Sequence, residues 1–235
     1  MKKILVLTAL RSGSNYVVDN CVLSIEKMYS VTPSHEHYYK SLDDKVTKID
    51  SVVKDDFSVI KLSWLYHLHE LSKIDDLSKY DVIFLKRKDK FAQSISMLTA
   101  MLNPKHAFNF YKGNEKEWSE WVQTDPKHHI TKESFHLYFW LREHLEKGVV
   151  EFKDKFKSFT EVHYEDLDGN VENLKKLLEN VGLPDHKNHE NTFIAQKRNW
   201  NKWDSIVNKE EVLGWAEELF SQQGYVIDSK YYKEE

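Results

Sequence analysis

Glycine and proline are scarce in this chain, 7 and 4 of 235 residues. That is too few for a Gly- or Pro-rich linker, so nothing marks a boundary between two domains. Cysteine occurs once, as Cys21, which excludes an internal disulfide framework and fits a reducing compartment. No apolar run approaches the ~18 residues of a membrane span. The opening MKKILVLTAL has some look of a secretion signal. Its apolar stretch from Ile4 to Leu10 is short, however, and runs into Arg11 with no small-residue cleavage site. A cytoplasmic protein is expected. The net charge of −4 leaves no general nucleic-acid footprint, so a basic groove for a phosphorylated ligand must be local. Also missing is G-x-x-x-x-G-K-[ST], the loop of ATP-hydrolysing P-loop enzymes.

What is present suits one sizeable α/β domain over 1–235, with 40% hydrophobic residues and 13% aromatics. Ile4-Leu5-Val6-Leu7 reads as a buried parallel strand. Ala9 to Ser14 is a turn, and Val18, Cys21, Val22 and Ile25 then fall at helical spacing. Phe57 to Leu62, Asp81 to Leu85 and Phe159 to Tyr164 are further strands. Phe91, Ile95, Leu98 and Leu102 share one helical face; Leu174, Leu177, Leu178 and Val181 share another. That last helix is capped by Asp168 or Asn170 and stopped by Gly182 and Pro184. Alternating strands and helices imply three layers around a central parallel sheet. Residues from about 103 to 147 read as a helical, aromatic-rich insertion, and an amphipathic helix is expected near Glu210 to Phe220.

Two segments carry chemistry. Arg11-Ser12-Gly13-Ser14-Asn15 lies between the first strand and its helix, where backbone N–H groups and the dipole's positive end suit a phosphate or sulfate. Phe84-Leu85-Lys86-Arg87-Lys88-Asp89-Lys90, continuing to Gln93, Ser94 and Ser96, sets a basic cluster past a strand's carboxyl end, where open α/β sheets bind ligands. Singly, each also reads as an ordinary turn or a solvated basic loop.

Together they resemble the two nucleotide motifs of sulfotransferases that use 3'-phosphoadenosine 5'-phosphosulfate (PAPS). The spelling is closest to the bacterial trehalose 2-sulfotransferase type, with R-x-G-S after strand one and L-x-R-[RK]-D-K-x-x-Q-[AS]-x-S later. Arg11, Gly13 and Ser14 match the first motif; Leu85, Arg87, Lys88, Asp89, Lys90, Gln93, Ser94 and Ser96 match the second. Lys61, Tyr164-Glu165-Asp166-Leu167, Gln196-Lys197-Arg198 and Trp203 are further echoes. The resemblance implies a P-loop-like fold and PAPS as sulfuryl donor. Arg11, Ser12, Gly13, Ser14 and Asn15 would hold the 5'-phosphosulfate, with Arg11 also catalytic, and Arg87 and Ser96 would hold the 3'-phosphate. Lys197 and Arg198 would lie on a closing loop over about 190–209. The product nucleotide would be adenosine 3',5'-bisphosphate (PAP), and the acceptor a small hydroxyl compound, with a carbohydrate slightly preferred.

Ser63 stands where eukaryotic cytosolic sulfotransferases carry a histidine base, so the base must come from elsewhere. Thr32-Pro33-Ser34-His35-Glu36-His37-Tyr38 resembles the segment bearing the catalytic glutamate in the trehalose type. That makes Glu36 the general base expected, with His35 and His37 as alternatives that can titrate near neutral pH. His35 and His37, His67 and His69, and His128 and His129 are paired, but none has H-E-x-x-H spacing, and no metal is expected. The aromatics from Trp118 to Trp140 read as core packing or as a sugar-binding wall. Tyr164-Glu165-Asp166-Leu167 reads as ordering the sheet end. Two alternatives stay open: a P-loop-related kinase, and a non-catalytic nucleotide-binding or scaffold protein.

Overall fold

A computed structural model describes residues 1–9, 13–38, 56–63, 71, 76–102, 127–185 and 202–225. Its strands are Lys2–Thr8 (β1), Ser34–Tyr38 (β2), Phe57–Ser63 (β3), Tyr80–Lys86 (β4) and Ser158–His163 (β5). They form one 5-stranded sheet in the order β2-β3-β1-β4-β5, with every pairing parallel. The described helices are Ser14–Tyr29 (α1), Lys90–Leu102 (α2), Lys132–Val150 (α3), the single turn Tyr164–Leu167 (α4), Val171–Asn180 (α5) and Lys209–Gln223 (α6). The chain groups into two compact units, 1–88 with 141–190, and 89–140 with 191–235.

The first unit is the three-layer α/β body. Alternate residues of β1 serve opposite cores, which is why its apolar run is unbroken. Leu5 and Leu7 pack with Ile60, Val82 and Phe84 and with Leu145 and Val149 from the second half of α3. Ile4 and Val6 join Val17, Val18, Cys21 and Ile25 of α1 and Leu174, Leu177 and Leu178 of α5. Each such buried aliphatic side chain contributes ~1.5–3 kcal/mol. Cys21 lies wholly inside, and burial pushes its thiol up to about 12, so it is inert at neutral pH. Asn170 caps α5 by accepting the Asn173 N–H at 3.1 Å.

Sequence periodicity gives no strand at Ser34–Tyr38, yet β2 runs there along the sheet's edge. S-H-E-H-Y lacks the apolar alternation that marks a strand. Its pairing with β3 makes the strand, setting His35 opposite Val59, Glu36 opposite Ile60 and His37 opposite Lys61. The segment holding all three candidate bases is therefore a strand and not a loop.

At the amino ends of the strands, Asp81 gathers three partners. Lys2 Nζ lies 2.6 Å from Oδ2, Lys157 Nζ 3.1 Å from the same oxygen, and Ser158 Oγ donates to Oδ1 at 2.7 Å. Burial alone would raise the Asp81 pKa, but these hydrogen bonds outweigh it and hold the carboxyl below its ordinary value. Its folded pKa is thus below its unfolded one. The stabilisation is complete above the ordinary Asp value of ~4 and is lost as pH falls through the folded value. Because Lys2 and Asp81 side chains are only 8% and 6% exposed, Asp81→Ala strands a buried ammonium. A loss of about 3–5 kcal/mol is expected at pH 7, read by urea unfolding and shrinking as pH falls below the ordinary Asp value of ~4.

The second unit is built on rings. Phe91 of α2 meets Phe135, Trp203 and Phe220 with centroids 6.2, 5.4 and 6.3 Å away, and Phe139 meets Phe220 at 5.3 Å. Tyr138 and Phe139 are core residues here, whereas Trp140 is 58% exposed. Packing is thus the part taken by Tyr138 and Phe139; Trp118 and Trp121 lie outside the described residues. Asn208 donates to Ile130 O at 2.8 Å and accepts from Ile130 N at 3.1 Å, which pins residues 202–208 to the segment before α3. Among the described residues, no helix is long and apolar enough to cross a membrane.

Candidate functional site

The connection leaving β1 heads for the β3 and β2 side, while the one leaving β4 leads to β5 on the opposite side. β1 and β4 are neighbours, so their carboxyl ends flank a topological switch point, where parallel sheets open a ligand crevice. Both motif segments begin there.

After β1 the chain turns at Gly13, which has φ +74° and precedes α1 with no side-chain cap among the described residues. Its carbonyl accepts the Tyr16 N–H at 3.1 Å. With no acidic residue in the first turn, the positive end of the helix is left for an anion. Lys61 of β3, only 1% exposed, reaches this turn and donates from Nζ to Asn15 Oδ1 at 2.5 Å. A buried ammonium thus stands beside the α1 N-terminus. Ser14 and Asn15 are on the first turn; Arg11 and Ser12 lie outside the described residues.

Past β4, Arg87 and Lys88 are tied to α4. Glu165 accepts Arg87 Nε–H with Oε1 at 3.1 Å and the Lys88 backbone N–H with Oε2 at 2.9 Å. Burial raises the Glu165 pKa, but the Lys88 N–H and the Arg87 charge together bring it below its ordinary value. The Arg87 guanidinium also covers the Tyr164 ring, 5.5 Å from its centroid, and Lys88 Nζ pairs with Asp166. Burial and then the charge of Asp168 push the Tyr164 hydroxyl up to about 12, so it stays protonated.

Tyr164 also faces the first turn. A Cβ built on Gly13 would fall 2.2 Å from Tyr164 Cδ2 and 2.3 Å from Cε2. One ring therefore meets both motif turns. Tyr164-Glu165-Asp166-Leu167 does order the sheet end, with Asn173 Nδ2 on Asp166 O at 2.8 Å as a further tie.

Asp89 of the second motif serves the fold of the second unit. Its Oδ1 accepts the Ala92 N–H at 2.8 Å and caps α2. Ser94 Oγ turns back onto the Lys90 carbonyl at 2.8 Å. Ser96 is half-buried on α2. Lys197 and Arg198 lie outside the described residues. Among those described, no group of three or more His, Cys, Asp or Glu side chains could hold a metal ion.

Two contributors had weaker sequence signals. Lys61 showed as a lysine inside the apolar run F-S-V-I-K-L-S and as a lesser echo of the family resemblance, with no partner indicated. The dual use of Glu165 had none, because its partners lie 77 and 78 residues away. No protein-family model matches this chain, and no curated protein sequence matches it significantly.

Proposed function

We propose that this chain is a PAPS-dependent sulfotransferase of P-loop-like fold, moving a sulfuryl group to a hydroxyl of a small acceptor, with a carbohydrate slightly favoured among acceptors. The observation that carries the reading is that two separately recognised motif segments start at the carboxyl ends of adjacent parallel strands, at the switch point. The α1 N-terminus with Lys61 beside it supports an anion at the first; Arg87, held by Glu165, supports one at the second. Ser96, Lys197 and Arg198 enter the proposal on their motifs alone.

In the reaction the acceptor oxygen attacks sulfur in line, the bond from sulfur to the bridging oxygen breaks, and the acceptor proton passes to a base. PAP leaves with the electron pair of the broken bond. Charge grows on the departing 5'-phosphate, where Arg11, Lys61 and the α1 amides would receive it. The chemistry is positioning and electrostatics, as in phosphoryl transfer.

Calorimetry with PAP, PAPS and ATP tests the reading. PAP and PAPS should bind well above ATP; preference for ATP would favour a kinase, and no binding would favour a scaffold. Labelled-sulfate turnover against an acceptor library then separates an enzyme from a binder. Arg87→Ala is expected to weaken PAP by about 1.5–3 kcal/mol, and Arg87→Lys to restore only part, since a point charge lacks the fork. Adenosine 5'-phosphosulfate has no 3'-phosphate, so an equal loss with it would remove Arg87 from that role.

A further inference from the structure

The turn from β5 into α4 does something neither motif predicts: it touches both ligand turns at once. Glu165 bridges Arg87 and Lys88 with its two carboxylate oxygens at 3.1 and 2.9 Å. The Tyr164 ring, one residue earlier, has the Arg87 guanidinium 5.5 Å from its centroid and the Gly13 backbone hard against its Cδ2–Cε2 edge. Asp166 pairs with the Lys88 ammonium and is itself tied through its carbonyl to α5. The turn after β4 is thus fastened at a guanidinium, a backbone amide and an ammonium, all by three consecutive residues.

We propose that Glu165 is a positioning residue: it fixes the Arg87–Lys88 turn, and the Tyr164 ring relays that position to the Gly13 turn, setting the spacing of the two anion sites. The role of Arg87 toward a 3'-phosphate rests on the reading above; the brace itself does not. A carboxylate is the group required. It accepts on both oxygens, whereas a carboxamide in the same place turns a donor toward either the guanidinium or the Lys88 N–H. Charge-assisted bonds of this kind fix a guanidinium's plane as well as its place.

The full chain and two variants, Glu165→Gln and Glu165→Asp, test this. Amide exchange without ligand comes first: the Lys88 N–H is expected to exchange about 10-fold faster in Glu165→Gln, with partial recovery in Glu165→Asp. Calorimetry follows. Glu165→Gln should weaken PAP about 10-fold and adenosine 5'-phosphosulfate by less than about 3-fold. Unchanged Lys88 exchange, or equal losses with both nucleotides, would overturn the proposal. If Glu165→Gln does not fold, Glu165→Asp is judged by the same two readouts. Should the unaltered chain bind neither nucleotide, the sulfotransferase reading fails, and Lys88 exchange alone still decides the brace.

Discussion

Glu36→Gln is expected to lower sulfuryl turnover by about 10²–10⁴ while leaving PAPS affinity nearly unchanged. In the proposed reaction the acceptor sheds a proton as it attacks, and glutamine keeps the shape and hydrogen bonding of glutamate without the basicity. The fold sharpens the contest with the neighbouring histidines. All three candidates lie on β2, and the register places His37 beside Lys61, the residue whose ammonium meets the first turn of α1, and Glu36 beside Ile60. His37→Ala and His35→Ala are therefore the necessary companions. Near-full activity in Glu36→Gln, with loss in either histidine variant, makes the base a histidine.

Gly13→Val is expected to damage the fold as well as the proposed donor binding. In the sequence, Gly13 belongs to the motif whose resemblance implies a hold on the 5'-phosphosulfate. In the structure, the atoms a Cβ would strike belong to Tyr164, 2.2 Å away, and φ is +74°. The left-handed conformation costs a residue with a Cβ roughly 1–2 kcal/mol, and moving a packed ring adds about 1–3 kcal/mol. A total of about 2–5 kcal/mol predicts a melting temperature lower by roughly 5–20 °C for a chain of this size. Gly13→Ala in a Tyr164→Leu background separates the two causes. The larger ring clash should shrink there while the φ penalty persists, a non-additivity of about 0.5–3 kcal/mol. Purely additive losses would mean that Tyr164 and Gly13 do not constrain each other.

β1 and β4 were legible because burial on both faces makes them apolar without interruption, I-L-V-L in β1 and V-I-F-L in β4. Helix α5 was legible to its ends, since Asn170 caps by a local bond and Gly182, at φ +66°, permits the stop. β2 was not, because an edge strand of polar residues owes its conformation to the ladder offered by β3. The same divide runs through the site. The Gly13 turn and the basic cluster are local patterns, readable in a handful of residues. Lys61 reaching Asn15 and Glu165 reaching Arg87 span 46 and 78 residues, and no periodicity announces such partners. Asp89 shows the converse. Its place in the ligand motif suggested the site, and its side chain caps α2.

The position of β1 has a consequence for how the protein is assembled. Among the described strands β1 comes first in sequence yet lies innermost in the sheet, flanked by β3 from Lys2↔Phe57 onward and by β4 from Lys3↔Tyr80 onward. Neither ladder can begin to close until about fifty residues beyond β1 have been made, and parallel pairings at such separation form slowly. Through that interval both edges of β1 are open to other chains, an aggregation hazard that helix α1, packed on one face only, does not cover. Removing residues 2–8 would not trim the sheet but divide it, leaving β2 with β3 and β4 with β5 as two pairs sharing no hydrogen bond.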